Sequence, residues 1–225
     1  MPPITAAIFD MDGLIIDSEP LWQEAEIACF RPLGVPVDRD LCRQSAGKRL
    51  DEVIADWHER FGWDGPGIAE MHDAVLDTVT RLIMERGEAL PGVLETMQDL
   101  AGQGIRMAIA SSSPPELIEA VVKKLALEQR LDLTHSGALE TRGKPDPAVF
   151  LTTARRLDVE PRQCVVFEDA PTGIEAARRA GMHIIAVPSV FEINDPGILA
   201  ADRVLATLAD FRLNMIGLSQ TVPTR

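Results

Sequence analysis

From Leu90 onward, short apolar runs alternate with amphipathic stretches. Ile105 to Ala110, following Gly104, predicts a buried strand. Pro114 to Lys124 predicts a helix, with Ser113 and Glu116 in capping-box spacing and Pro114 at the first helical position. Leu133 to Ser136 is a weaker strand, and Ala148 to Leu157 a helix. Cys164 to Phe167 predicts another strand, followed by a helix from Pro171 to Ala180 that Gly181 ends. His183 to Val187 is a further strand candidate. With the apolar run from Thr5 to Phe9, this alternation predicts an α/β protein whose parallel sheet carries helices on both faces.

Residues 17–89 break the rhythm. Val53, Ile54, Trp57 and Phe61 recur at helical spacing, as do Met71, Val75, Val79, Leu82 and Ile83. No strand pattern interrupts them. The expected organisation is therefore a core of residues 1–16 and 90–225, with a helical insert at 17–89. Leu90-Pro91-Gly92 closes the insert, and Ser219 to Arg225 reads as a frayed tail.

Composition narrows the partners. The chain has 225 residues and a net charge of −13, which argues against nucleic acid, because phosphate backbones demand clustered Lys and Arg. Its longest apolar runs are about four residues against the ~20 of a membrane span, and Met1 to Ser18 lacks the basic start of a secretory signal. Cys29, Cys42 and Cys164 are too scattered for a disulfide framework or a zinc site. A cytoplasmic setting with idle thiols is expected. An anionic small molecule can still bind wherever a metal, a lysine or helix N-termini supply local positive charge.

The chemistry gathers at strand ends. Asp10 and Asp12 follow the first apolar run at a spacing of two, so in an extended segment both face one point while Met11 turns to the core. Two such carboxylates repel each other and lose solvation, a cost that a divalent cation offsets. The second strand ends at Ser111-Ser112-Ser113, and Cys164 to Phe167 ends at Glu168-Asp169. Between them, Gly143-Lys144-Pro145-Asp146-Pro147 is a turn-rich loop holding one lysine. In open parallel sheets ligands sit outside the carboxyl ends of the strands, so these groups can converge. They suit phosphoryl transfer: a carboxylate as nucleophile, a second to move the proton, and a hydroxyl, N–H groups and a lysine to hold phosphoryl oxygens.

Asp10-Met11-Asp12-Gly13 with Asp17, then Ser111, Lys144 and Glu168-Asp169, match in order the four motifs of the haloacid dehalogenase superfamily. The chain resembles its sugar-phosphate phosphatases with a helical cap over essentially its whole length. The resemblance implies a Rossmann-like doubly wound core with residues 17–89 as the cap. It makes Asp10 the nucleophile and a Mg²⁺ ligand. Asp12 becomes the general acid/base, binding Mg²⁺ through its backbone carbonyl. Asp169 would ligate the metal, with Glu168 beside it or acting through water. Ser111, the Ser112 backbone and Lys144 would hold the phosphate. The implied partner is a small phosphorylated sugar or polyol, and a monomer is expected.

Several residues admit two readings. Arg49, with Lys48 at a helix start where basic residues are disfavoured, is a candidate for reaching the substrate, against a solvated surface pair. Ser113 is expected to cap a helix, and Asp17 to fix the loop into the cap. Trp22 either lines the substrate pocket or packs in the cap core. The four histidines lack ligand spacing, and no G-x-S-x-G elbow is present. Within the superfamily, Asp12 argues against dehalogenases and phosphonoacetaldehyde hydrolases, which lack an acid at that position. A β-phosphoglucomutase shares the four motifs but carries a Thr and a His where this chain has Asp17-Ser18-Glu19-Pro20-Leu21-Trp22. A non-catalytic binding protein of the same fold would lose the nucleophile or the metal acid, and both are present.

Overall fold

A computed structural model describes residues 2–218; the expected tail from Ser219 lies outside them. Six parallel strands form one sheet: β1 (Ala6–Phe9), β2 (Arg106–Ser111), β3 (Leu133–Ser136), β4 (Cys164–Glu168), β5 (His183–Ala186) and β6 (Arg203–Val204). Their order is β3-β2-β1-β4-β5-β6, so the chain winds outward from β1 in one direction and then in the other. The central strands are apolar along their middle, from Ala6 to Phe9, Met107 to Ala110 and Cys164 to Phe167, because both faces are covered. Ala7, Phe9, Met107, Ile109, Val165 and Phe167 belong to one core. Their neighbours Ala6, Ile8, Ala108, Ala110 and Val166 belong to the other.

Helices α5 (Val93–Gly102) and α6 (Pro115–Lys124) pack into the first core through Met97, Leu100, Leu117 and Val121. Helices α7 (Ala148–Arg156) and α8 (Pro171–Ala180) pack into the second through Phe150, Ile174 and Ala177. The doubly wound α/β class is thus established. Gly181 ends α8 in the left-handed conformation (φ +73°), as the sequence predicts.

Between β1 and α5 the chain is helical: α1 (Glu19–Phe30), α2 (Arg39–Arg43), α3 (Leu50–Phe61) and α4 (Ile68–Arg86). Val53, Ile54, Trp57, Val75 and Val79 are buried at the expected spacing, whereas Phe61, at the last turn of α3, is exposed. Where the chain leaves and returns it pairs with itself: Asp17 N–H donates to Glu88 and Leu90 N–H to Ile15. Asp17 contributes this backbone bond while its side chain faces solvent. No helix among the described residues is long and apolar enough to cross a membrane.

Two local expectations are corrected. Helix α6 begins at Pro115, and no side chain caps it; the Ser113 hydroxyl is engaged elsewhere, so the Ser113–Glu116 capping box does not form. Strand β6 was not anticipated, because two residues, one of them charged, leave no apolar run.

Phe9 and Phe167 stack between β1 and β4 with ring centroids 4.7 Å apart. Phe167→Ala is expected to lower unfolding free energy by about 3–5 kcal/mol, measured by urea titration.

Candidate active site

Backbone pairing carries β1 one residue past its end: the Asp10 N–H donates to the Phe167 carbonyl at 3.0 Å. Asp10 is thereby fixed beside the end of β4, and Met11 is fully buried. The chain then turns sharply at Gly13, whose φ of +70° disfavours any side chain. A Cβ there would also stand 2.4 Å from Asp169 Oδ2. Gly13 thus lets the first motif and the end of β4 close on each other.

Lys144 joins these ends. Its Nζ donates to Asp10 Oδ1 at 2.7 Å and to Glu168 Oε1 at 2.6 Å, and lies 5.0 Å from the centroid of the Phe150 ring. Glu168 Oε2 accepts from the Ala170 N–H at 2.8 Å, at the start of α8. Gly173 makes room for this carboxylate, since a Cβ would overlap Glu168 Oε1. Asp169 Oδ2 accepts from the Ser189 hydroxyl at 2.8 Å.

Asp10, Glu168 and Asp169 are all buried, with carboxylate oxygens within 4.8 Å of one another. Burial raises Asp10 to about 7 against the pull of Lys144, and Glu168 adds to the rise. Burial, then Glu168 and Asp10, push Asp169 well above the ordinary carboxylate range. Burial alone would depress Lys144, but the charges of Asp10 and Glu168 raise it. One ammonium does not balance three acids. Their hard oxygen donors, with the Asp12 carbonyl, which accepts no internal hydrogen bond among the described residues, fit a hard divalent cation such as Mg²⁺.

Asp12 is held differently. Its Oδ1 accepts from the Ser18 hydroxyl at 2.6 Å and the Trp22 indole N–H at 2.8 Å; its Oδ2 accepts from the Ser113 hydroxyl at 2.6 Å. Two of these donors lie at or near the start of α1 and one just past β2. This is why Ser113 caps no helix. Ser111 accepts the Ser113 N–H at 3.1 Å, while the Ser112 hydroxyl crosses to the Gly47 carbonyl at 3.1 Å.

A cleft opens beside this cluster. Asp10, Asp12, Ser111 and Ser112 line it, so they face one space; Lys144, Glu168 and Asp169 stand behind Asp10. Arg49 does not line it. Its guanidinium pairs with Asp51 at 2.6 Å and donates to the Glu140 carbonyl at 3.0 Å, tying α3 to the loop before Lys144. Lys48 lines the cleft instead, and so does Trp22.

Sequence reasoning passed over Ser189, whose position in a loop after β5 offers no signal. It also passed over Glu19 and Glu26, which line the cleft from α1 and are buried. Two acids seven apart on a face shared with Leu21, Ala25 and Phe30 are the pattern that marks them. Burial, then Asp12 and Glu26, raise Glu19 to about 8. Burial raises Glu26 to about 7, with a small opposing effect from the Cys42 thiol.

Residues 4–181 match the family model of haloacid dehalogenase-like hydrolases. The chain is 38% identical over 208 residues to hexitol phosphatase B of Escherichia coli (strain K12), covering 92% of this chain and 94% of that protein. It is 32% identical to validoxylamine A 7'-phosphate phosphatase of Streptomyces hygroscopicus subsp. limoneus, over 94% and 97% of the two chains. Among solved structures, CbbY from Rhodobacter sphaeroides in complex with phosphate superposes with a TM-score of 0.84 at 28% identity, covering 92% of this chain and 96% of that one.

Glu26 gives the site a pH signature. In the unfolded chain its carboxyl ionises near 4.5, in the folded protein near 7. Between those values the folded form keeps a proton that the unfolded chain has lost, so stability falls as pH rises through this window and levels off above it. Below pH 4.5 both forms are protonated and the penalty vanishes. Glu26→Gln is therefore expected to stabilise the protein at pH 8 by on the order of 3 kcal/mol, and by little at pH 4.5. Denaturant unfolding of both proteins at the two pH values measures the difference.

Proposed function

Because this chain belongs to the haloacid dehalogenase-like hydrolases, we propose that it is a phosphoric monoester hydrolase. In our reading it acts on small phosphorylated sugars or sugar alcohols by way of a phosphoryl group carried on Asp10. The observation that carries the reading is the convergence of Asp10, Asp12 and Ser111 on one cleft end, with Lys144 bonded to Asp10 from behind beside the Asp10–Glu168–Asp169 carboxylates. Relatives of full length named as hexitol and validoxylamine phosphate phosphatases support the substrate class.

Lys144 binds Asp10 Oδ1, which leaves Oδ2 to attack phosphorus. The new bond joins Asp10 Oδ2 to phosphorus; the ester bond to the alcohol oxygen breaks, and Asp12 gives that oxygen its proton. A water then attacks phosphorus, its proton passes to Asp12, and the bond to Asp10 breaks. Ser111, the Ser112 N–H and Lys144 hold the phosphoryl oxygens through both halves. Asp10, Asp169 and the Asp12 carbonyl would hold Mg²⁺, with Glu168 beside them. When bound, the ion neutralises charge on the carboxylates and the phosphoryl oxygens. Residues 17–89 act as the cap that keeps competing water from the cleft, in a cytoplasmic setting.

Trp22 is a positioning residue for Asp12. Its indole N–H can only donate, and it takes the same oxygen as Ser18.

A panel of sugar phosphates assayed for phosphate release is expected to show turnover with Mg²⁺ and loss with EDTA. Asp10→Asn should abolish it; release that survives this change would overturn the mechanism. Glucose 1-phosphate with a bisphosphate primer should yield free phosphate, whereas accumulating glucose 6-phosphate would point to a mutase.

Trp22→Phe removes one of three donors to Asp12 while keeping an aromatic ring. It is expected to lower kcat about tenfold, the equivalent of one hydrogen bond, with a smaller change in KM. Steady-state kinetics on the best ester of the panel reads both.

A further inference from the structure

One wall of the cleft has chemistry that phosphoryl transfer does not use. Glu19, Trp22, Gln23 and Glu26 follow one another at helical spacing on α1, and all four line the cavity. Trp22 turns its N–H to Asp12. Glu26 has no comparable task. It is only 6% exposed, and among the described residues the one side chain that hydrogen-bonds its carboxylate is the Cys42 thiol, a weak donor. Buried carboxylates are ordinarily paired or richly hydrogen-bonded. Glu26 also lines the cleft, so further partners can reach it from the cavity side.

The lining also sets the charge that such a partner can carry. Among the described residues it contains four acids, Asp10, Asp12, Glu19 and Glu26, and one cation, Lys48, which is exposed at the α3 end. Asp10 and its neighbours serve the phosphoryl end. The α1 wall therefore presents acceptors to whatever is attached to the phosphate. Aliphatic hydroxyls donate to such acceptors without adding charge, whereas a carboxylate or second phosphate beside Glu19 and Glu26 is repelled in a medium of low dielectric.

We propose, on the footing of the hydrolysis set out above, that Glu26 is a specificity-determining residue that accepts hydrogen bonds from the hydroxyls of an uncharged polyol leaving group, and that with Glu19 it turns away esters bearing a second anionic group. Gln23, between Trp22 and Glu26 in the lining, supplies an amide that both donates and accepts, and Lys48 supplies donors at the rim. A site built to pair with hydroxyls discriminates strongly against ligands lacking them, because its own buried groups are then left without partners.

Three esters test this with the intact protein and Mg²⁺ at about pH 9, above the values to which burial raises Glu19 and Glu26 so that both are ionised: a hexitol 6-phosphate, p-nitrophenyl phosphate, which has no aliphatic hydroxyl, and 3-phosphoglycerate, which carries a carboxylate. Glu26→Gln keeps the shape and removes the charge. It is expected to lower the ratio of kcat/KM for the hexitol ester over p-nitrophenyl phosphate at least tenfold, mainly through KM. The ratio of 3-phosphoglycerate over p-nitrophenyl phosphate should rise at least threefold. Glu26→Asp, which keeps the charge but draws it back, should lose hexitol preference without gaining 3-phosphoglycerate. Each ratio is read on one preparation, so a loss of folded protein cancels. Ratios within twofold of wild type, or a wild type that prefers 3-phosphoglycerate, would overturn the role of Glu26 and leave the phosphatase reading standing. A wild type inert towards all three esters overturns both.

Discussion

Asp10, Glu168 and Asp169 bring three carboxylates within 4.8 Å of one another in the protein interior, and Lys144 sets an ammonium between two of them. Like charges at that distance, removed from water, oppose folding. Lys144 bridges two of the acids, the Ala170 N–H at the start of α8 takes the far oxygen of Glu168, and Ser189 takes an oxygen of Asp169. A negative excess remains after these contacts. It suits the site to a divalent cation, which under the proposed hydrolysis would let a protein with a net charge of −13 hold a phosphoryl group.

The sheet makes this concentration possible. All six strands run parallel, so every strand delivers its last residue to the same edge. The order places β1 between β2 and β4, where the winding reverses and the helices that follow diverge to opposite faces, leaving a crevice. Asp10 and Asp12 leave β1, Ser111 ends β2, and Glu168 ends β4. Two close approaches complete the cluster. Gly13 admits Asp169, and Gly173 admits the Glu168 carboxylate against α8. The core beneath, with Phe9 stacked on Phe167, holds β1 and β4 in register against the repulsion above it.

Much of this was legible in the chain, because parallel strands buried on both faces are simple apolar runs and their polar ends stand out. The boundaries of β3 and α8 match the sequence reading, and the grouping of Asp10, Asp12, Ser111 and Lys144 was suggested by parallel-sheet topology together with the order of the family motifs. What stayed hidden depends on contacts between distant segments. Ser113 has the local features of a helix cap, yet its hydroxyl serves Asp12, 101 residues away in the chain. Arg49 has the charge expected of a substrate contact, but Asp51 and the Glu140 carbonyl engage it. Helix α1 was the least readable element for a related reason: its inner face mixes Leu21, Ala25 and Phe30 with Glu19 and Glu26. Local rules tend to fail where a site imposes its own demands, and this face is such a place.

That mixture on α1 ties two parts of the chemistry to one rigid body. Trp22 and Glu26 are one turn apart: the first holds the Asp12 carboxylate, and the second faces the space where a leaving group would lie. Ser113 approaches the opposite oxygen of Asp12 from the end of β2. Asp12 is therefore oriented by both the helical segment and the sheet, and any displacement between them loosens its donors and moves the α1 wall in the same motion. Under the proposed hydrolysis, the wall that would recognise the alcohol and a donor that orients Asp12 therefore share one helix. A buried acid that lowers the stability of the empty protein is then the cost of that arrangement.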